Sequence, residues 1–536
     1  MERRTLLKLG AAAALAQGMN APDASAQPAA AAAPPPFELD EATVADLQAA
    51  MQAGARSAVS IAQAYLARID SIDKRGPGVN AIIELNPDAL ASAEALDRER
   101  RDKGARGPLH GIPVLLKDNI DTADKMRTSA GSLALGDSIA ARDAFIVGRL
   151  RASGCVILGK TNLSEWANFR SSRSTSGWSG RGGQTRNPYA LDRNTSGSSS
   201  GSAAAMAANL GALAVGTETD GSIVSPASAC GIVGLKPTVG LVSRSGIVPI
   251  AHSQDSAGPM TRTVADAAAL LGPMTGVDAR DVATAESAGK AHPDYTRFLD
   301  PAGLKGARIG IAREFFGPND RADRVIDEAI AAMKGAGAIV VDPVRIAHVA
   351  DLGEPEITVL LYEFKADLDA YLATLGPAMQ TRTLAALIDY NTRNASREMP
   401  YFGQERMVMA QKKGPLTEAA YRRAVAKCRR LARRKGIDAT LARDRLDAIV
   451  APTGGPAWLI DYVCGDHASG GCSQPAAVAG YPHITVPAGF AFGLPVGVSF
   501  FASAYSEPTL IRLAYAYEQA TRARQPPQFL ATASLR

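Results

Sequence analysis

Two stretches rich in serine and glycine define the chemistry open to this chain. Residues 195–206 read Thr-Ser-Gly-Ser-Ser-Ser-Gly-Ser-Ala-Ala-Ala-Met, and residues 216–226 read Gly-Thr-Glu-Thr-Asp-Gly-Ser-Ile-Val-Ser-Pro. By composition the first is a flexible loop, yet it runs straight into Ala203–Leu210, a strong helix former. The first turn of a helix leaves N–H groups unpaired, a favourable place for developing negative charge. The second stretch follows a short apolar run, Leu213–Val215. The turn Thr219, Asp220, Gly221 and Ser222 has amides able to point one way, which is the physical requirement of an oxyanion hole. A third element is Lys117, which ends the apolar run Val114-Leu115-Leu116. A lysine near its ordinary value of ~10.4 is protonated at neutral pH and is no base, but burial disfavours the ammonium and lowers that value. Taken alone, Lys117 reads as a strand-end lysine that reaches solvent.

The elements that must position these residues alternate. Residues 43–53 have a helical apolar face (Val44, Leu47, Met51), a Thr43 cap with Asp46 as a partial capping box, and Gly54 as a stop. Ile61, Tyr65 and Ile69 repeat that spacing, so two helices precede any strand and cover the core. Buried strands are then predicted at Ile112–Leu116, Cys155–Leu158, Leu213–Val215, Ile232–Leu235, Ile309–Ile311, Ile339–Val341, Ala448–Ala451, Ile484–Val486 and Val496–Phe501. Helical patterns such as Arg324–Lys334 and Thr509–Ala523 lie between and after them. Continuous apolar strands interleaved with helices argue for a sheet covered on both faces.

Composition narrows the partners. A net charge of +5 on 536 residues, without a broad basic cluster, gives no reason to expect nucleic acid. The run from Arg429 to Lys435 reads as the solvated face of a helix. Five cysteines are too few for a disulfide scaffold; Cys464 and Cys472 either pair in an oxidising compartment or stay two thiols. No C-x-x-C pair or His/Cys cluster has zinc spacing, so no metal is expected, and no cofactor is needed. Gly154-Cys-Val-Ile-Leu-Gly-Lys160-Thr161 matches the string of a phosphate-binding loop, but its Cys-Val-Ile-Leu is itself strand, and amides committed to a sheet cannot cradle a phosphate. Gly197–Gly201 fits the string of a serine-hydrolase elbow without the strand it requires, and His110, beside the lysine strand, reads as a turn residue rather than a base.

Set in order along the chain, these segments resemble the amidase signature family. Residues 107–119, Gly-Pro-Leu-His-Gly-Ile-Pro-Val-Leu-Leu-Lys-Asp-Asn, resemble its lysine segment; residues 195–238 resemble its serine segments; Gly493-Leu-Pro-Val-Gly-Val498 resembles its C-terminal strand. The likeness spans most of residues 37–527. Within the family, Leu163–Arg170, Arg181–Pro188, Gly216–Ile223, Tyr362–Lys365 and Ala514–Gln519 are similar to bacterial peptide amidases. One departure is Thr195-Ser196, where the family usually has Pro or Gly.

The resemblance implies an α/β fold with a large mixed β-sheet core covered by helices on both faces, one catalytic domain over residues 37–536. It implies Ser222 as nucleophile, Ser198 as a bridging serine after a cis peptide bond, Lys117 as the base, and the amides of residues 219–222 around the oxyanion. The expected activity is hydrolysis of carboxamide C–N bonds through an acyl-enzyme, with release of ammonia from peptide C-terminal amides. A general amidase for small aliphatic or aromatic amides or N-acyl amines is the alternative. A glutamyl-tRNA amidotransferase component and a non-catalytic binding protein fit less well. Trp166, Phe169, Arg170 and Trp178 are expected to border the cleft or to be ordinary packing residues. A monomer acting on a small-molecule or peptide amide is expected.

The N-terminus stands apart from this domain. Glu2-Arg-Arg-Thr-Leu-Leu-Lys8 precedes an Ala/Leu-rich run to Ala16, and Ala24-Ser25-Ala26 has the small–x–small pattern of a signal-peptidase site. Residues 1–26 therefore read as a twin-arginine-like signal, and 27–36 as an Ala/Pro-rich spacer. The apolar run falls short of the ~20 residues a membrane span needs, so no stable insertion is expected once the leader is removed. The expected address is periplasmic or secreted, and cytoplasmic if the leader does not function. Sequencing of the mature protein from fractionated cells should find its first residue near Gln27; an intact Met1 in the cytosol would overturn this.

Overall fold

The computed structural model describes residues 36–376 and 379–534. The leader and all but the last residue of the Ala/Pro spacer lie outside the described residues. Eleven strands form one sheet: β1 (Ile82–Leu85), β2 (Pro113–Lys117), β3 (Val156–Thr161), β4 (Leu213–Glu218), β5 (Val233–Lys236), β6 (Ser256–Thr261), β7 (Arg308–Ala312), β8 (Ile339–Val344), β9 (Ala448–Pro452), β10 (His483–Ala491) and β11 (Leu494–Phe501). Their spatial order is β1-β3-β2-β4-β6-β5-β10-β11-β9-β7-β8. The sheet is mixed. Strands β3, β2 and β4 run parallel at one flank and β9, β7 and β8 at the other. Antiparallel pairs fill the middle. Helices cover the sheet as a large α/β core requires.

The two leading helices form where their periodicity places them. Val44–Gln52 is capped by Thr43 in a full capping box with Asp46, and Ala58–Arg68 by Ser57. Their faces Val44, Leu47, Met51, Ile61 and Tyr65 are buried. All nine predicted strands are present, several longer than the apolar run that signals them, but β8 lies at the sheet edge and its apolar run Ile339–Val341 is not buried. Two more, β1 and β6, complete the sheet; β6 reads Ser-Ala-Gly-Pro-Met-Thr and has no apolar run to reveal it. The phosphate-loop string is strand, as its apolar residues require. Lys160 is buried in β3, and its Nζ donates to the Ile120 carbonyl (2.5 Å) and the Thr128 hydroxyl (3.1 Å). Cys464 and Cys472 are both free thiols: Cys464 is exposed in a loop, while Cys472 is buried beside His483. No helix among the described residues is long and apolar enough to cross a membrane.

The Ser/Gly segment at 195–206 resolves into a bent loop and the fully buried helix Ser200–Ala207. That helix packs so closely on its neighbours that a Cβ at Gly201 would stand 2.4 Å from the carbonyl oxygens of both Ala81 and Asn162. These are backbone atoms and have little freedom to move. Gly201→Ala should therefore destabilise the protein by roughly 1–3 kcal/mol through overpacking, read as a lower urea midpoint at unchanged m-value. A stability equal to wild type would show that the helix is free to shift.

Candidate active site

Lys117 is the last residue of β2, a strand flanked in parallel by β3 and β4 and buried along its whole length. Its Nζ lies 2.8 Å from Ser198 Oγ, 3.0 Å from Ser199 Oγ, 2.9 Å from Thr217 Oγ1 and 3.1 Å from the Thr217 carbonyl. No carboxylate forms an ion pair with it among the described residues. Burial without that compensation pushes the amine down to about 7, against weaker upward pulls from Asp255 and Glu218. Lys117 thus does not reach solvent, as a lone strand-end lysine would.

The loop that brings Ser198 to the amine is fixed from several sides. The Gly197–Ser198 peptide is cis. A Cβ at 197 would stand 2.3 Å from Ser164 Oγ, 2.9 Å from Ser176 Oγ and 3.0 Å from Asn168 Nδ2, so a side chain there would have to displace these groups. Ser196, at the departure from the family pattern, takes a left-handed φ of 59°. Its N–H donates to Asn194 Oδ1 (2.8 Å), and its carbonyl accepts from the Ser200 hydroxyl (2.7 Å). Two hydrogen bonds thus hold a conformation that glycine would adopt freely. Ser199 Oγ donates to the Thr217 carbonyl (3.0 Å) and accepts from the Thr217 N–H (3.2 Å), tying the loop to β4.

Ser222 follows β4 through the turn 219–222, where Gly221 has a φ of 78°. The buried Glu218 carboxylate accepts from the N–H groups of Ile223 (2.8 Å) and Val224 (3.0 Å), fixing the residues just after Ser222 at the start of the helix Val224–Ala229. The Ser199 N–H donates to the Ser222 carbonyl (3.1 Å), joining the two serine segments. Among the described residues, the amides of Asp220, Gly221 and Ser222 donate to no protein group, and the Ser222 hydroxyl makes no protein hydrogen bond. Unpaired amides on a tight turn beside a serine are suited to holding an oxyanion.

Ser222 opens on a cavity of about 340 Å³ that neither Lys117 nor Ser198 lines. Phe169, Ile250, Ile357 and Leu360 give it apolar wall; Asn168, Asp220, Glu356, Arg406 and Gln474 give polar groups. Burial, and then the neighbouring Glu356, push the Asp220 carboxyl far above the usual carboxylate range. Burial raises Glu356 as well, although Gln254 and Gln474 donate to it at 3.0 and 2.8 Å. A second cavity of about 200 Å³, behind the Thr217–Thr219 segment, shares Ala167, Thr219 and Ile250 with the first.

The structure therefore brings together Lys117, Ser198, Thr219, Asp220, Gly221 and Ser222. Of the four aromatic and basic residues expected near the cleft, only Phe169 lines this cavity. Trp166 and Trp178 are buried, and Arg170 is enclosed with Glu165 (2.8 Å) under the Phe402 ring. Ser199, Thr217 and Glu356 were not singled out from the sequence. Ser199 had a signal in the serine run; Glu356 had none, since it comes from the helix Gly353–Ala373 across the cleft. His110 is structural: its two ring nitrogens bond to the Arg106 N–H (3.3 Å) and the Leu96 carbonyl (3.0 Å).

The lysine has a thermodynamic signature independent of any role. The unfolded chain holds that proton up to ~10.4, whereas the folded chain releases it near 7. Between these values the unfolded state binds more protons, so this group's contribution to stability rises with pH. Urea unfolding of wild type and Lys117→Met should show the difference moving in favour of wild type from pH 7 to pH 10; a pH-independent difference would mean that Lys117 titrates at its ordinary value.

Known proteins share both fold and sequence with this chain. The family model described as Amidase matches residues 60–511. A probable amidase from Arabidopsis thaliana is 44% identical over 507 residues, covering 92% of this chain and 93% of that protein. A putative amidase from Schizosaccharomyces pombe is 37% identical, covering 92% and 87%. The crystal structure of the native peptide amidase from Stenotrophomonas maltophilia superposes with a TM-score of 0.88 at 55% identity, covering 92% of this chain and 100% of that one. With its mixed eleven-stranded sheet, buried lysine and paired serine loops, this chain belongs to the amidase family and is a hydrolase acting on amides.

Proposed function

We propose that the enzyme releases ammonia from peptides that end in a carboxamide, using Lys117, Ser198 and Ser222 as a proton relay and nucleophile. The observation that carries this reading is the buried, unpaired amine of Lys117 at 2.8 Å from Ser198, one loop away from a serine that alone opens on the cavity. Neutral Lys117 takes the Ser198 proton, Ser198 takes the Ser222 proton, and Ser222 Oγ attacks the amide carbon. The amides of the 219–222 turn hold the oxyanion. The relay returns a proton to the nitrogen, the C–N bond breaks and ammonia leaves. Water, deprotonated through the same relay, then hydrolyses the acyl-enzyme to the free acid.

Similarity to the Stenotrophomonas maltophilia peptide amidase supports the peptide substrate. So does the cavity. Asn168 and Asp220 both line it, and each has an Oδ1 buried without a partner among the described residues. Acceptors of this kind suit the N–H groups of a peptide and of a primary carboxamide. A site in which burial already drives the Asp220 and Glu356 carboxyls toward their neutral forms disfavours a further anion, so a neutral amide is favoured over the acid formed from it. We further place the enzyme outside the cytoplasm on the strength of its leader, and take it to act as a monomer without metal or cofactor in catalysis.

Ser222→Ala should abolish both turnover and labelling by a fluorophosphonate. Wild-type kcat/KM should rise about tenfold per pH unit on the acid side and level off above about 7, where Lys117 is neutral. A flat profile from acid to alkaline pH would remove lysine from the relay.

For the substrate, an amidated dipeptide, its free acid and the same peptide extended by one residue should be incubated in parallel. Ammonia is expected from the first, and no internal cleavage from the other two. Faster ammonia release from a simple aliphatic amide would instead favour the general amidase, and cleavage of the extended peptide would show a cavity open beyond the scissile carbonyl.

A further inference from the structure

The loop from Asp461 to His467 brings three different ligand types to one point. A carboxylate oxygen of Asp461, Cys464 Sγ and a ring nitrogen of His467 all lie within 4.8 Å of one another, and Asp461 Oδ2 and His467 Nε2 are 3.1 Å apart. Cys464 is exposed and free, and the His467 side chain is 53% exposed, so the cluster faces solvent and a metal ion can reach it. The spacing Asp-x-x-Cys-x-x-His is not a zinc-finger pattern.

The backbone carrying these ligands is already ordered. Asp461 Oδ1 accepts the N–H groups of Val463 (2.8 Å) and Cys464 (2.9 Å), leaving Oδ2 for the imidazole side. The Asp461 carbonyl accepts from the Thr175 hydroxyl (2.6 Å). Between the ligands, Asp466 turns the other way and accepts from the Ser176 N–H (2.9 Å) and hydroxyl (2.5 Å). Tyr462 stacks on Tyr401 with ring centroids 4.2 Å apart. A ligand set held on both sides loses little conformational entropy on binding.

We propose that Asp461, Cys464 and His467 form a site for a borderline divalent transition metal, Zn²⁺ above all. One thiolate, one imidazole and one carboxylate are a donor set that such ions take and that Mg²⁺ and Ca²⁺ do not favour. On binding, the Cys464 thiol gives its proton to solvent, the proton on His467 Nε2 passes to solvent as Nδ1 takes one up in its place, leaving the imidazole neutral, and the His467–Asp461 hydrogen bond is replaced by two metal bonds. Three protein ligands leave a fourth position to water. The other grouping of this kind, His252 with Glu363 and Asp367, has no sulfur. Its Glu363 is already engaged by the Ser253 N–H (2.9 Å) and the Tyr421 hydroxyl (2.6 Å), so it is accounted for as an ion pair. The proposed site is separate from the catalytic relay but joined to its cavity: Ser176, which donates to Asp466, accepts from Asn168 (2.8 Å), a cavity residue.

The test uses the full-length protein stripped with a chelator. Zn²⁺ is titrated in competition with a chromophoric chelator, and Co²⁺ is added separately to read the thiolate-to-metal charge-transfer band in the near ultraviolet. Wild type should take up one equivalent that Cys464→Ser and His467→Ala both lack, and the Co²⁺ band should vanish in Cys464→Ser. Because both side chains are exposed, thermal unfolding of the stripped variants should match stripped wild type, separating loss of a ligand from loss of the fold. Equal uptake by wild type and both variants, or a Co²⁺-loaded wild type without a thiolate band, would overturn the proposal.

Discussion

The site depends on an amine taken out of water with no carboxylate to pair it. Lys117 ends a strand buried between two parallel neighbours, and its nitrogen meets only hydroxyls and a carbonyl. An ion pair there would have kept it protonated. Glu218, at the end of β4, turns one carboxylate oxygen, Oε2, to two backbone amides at the start of the next helix. That use of Glu218 fixes the chain just beyond Ser222, and the carboxylate forms no ion pair with the lysine among the described residues.

Around that amine, the two serine loops are positioned by close packing more than by hydrogen bonds to one another. A side chain at 197 would have to displace Ser164, Ser176 and Asn168, and the helix from Ser200 is wedged against the backbone at Ala81 and Asn162. Interiors this dense transmit small displacements, so the spacing of Lys117, Ser198 and Ser222 is tied to the stability of the whole β1–β3–β2–β4 flank. The cavity is less uniform. One side is apolar and the other carries two raised carboxyl groups, Asp220 and Glu356. Under the proposed reaction this contrast matters, because the substrate is neutral and the product is an anion.

Much of the architecture was legible because buried strands of a large sheet are continuous apolar runs, and the helices between them show their spacing. The two strands missed have specific reasons. Strand β6 contains Gly258 and Pro259 and forms because β4 and β5 lie on either side of it to supply the pairing. Strand β1 is a four-residue edge strand whose Glu84 breaks the apolar run. The aromatic residues were placed less well. Trp166 and Trp178 lie close in sequence to the cavity residues Asn168 and Phe169 but turn into the interior. Sequence proximity carries no information about which way a loop side chain points.

What the sequence determined by itself is therefore chemical identity and order: a lysine at the end of an apolar strand, two serine segments 24 residues apart, and a Gly-Ser turn whose amides are able to point one way. Their resemblance to a family supplied the roles. Only the tertiary structure decided that the lysine is desolvated, that Ser222 alone opens on the cavity, and that Glu356 and Arg406 come from distant segments to line it. The reason is physical. A residue's type and spacing are local and survive in the linear chain, whereas solvent exclusion and the meeting of groups remote in sequence exist only once the sheet has closed around them.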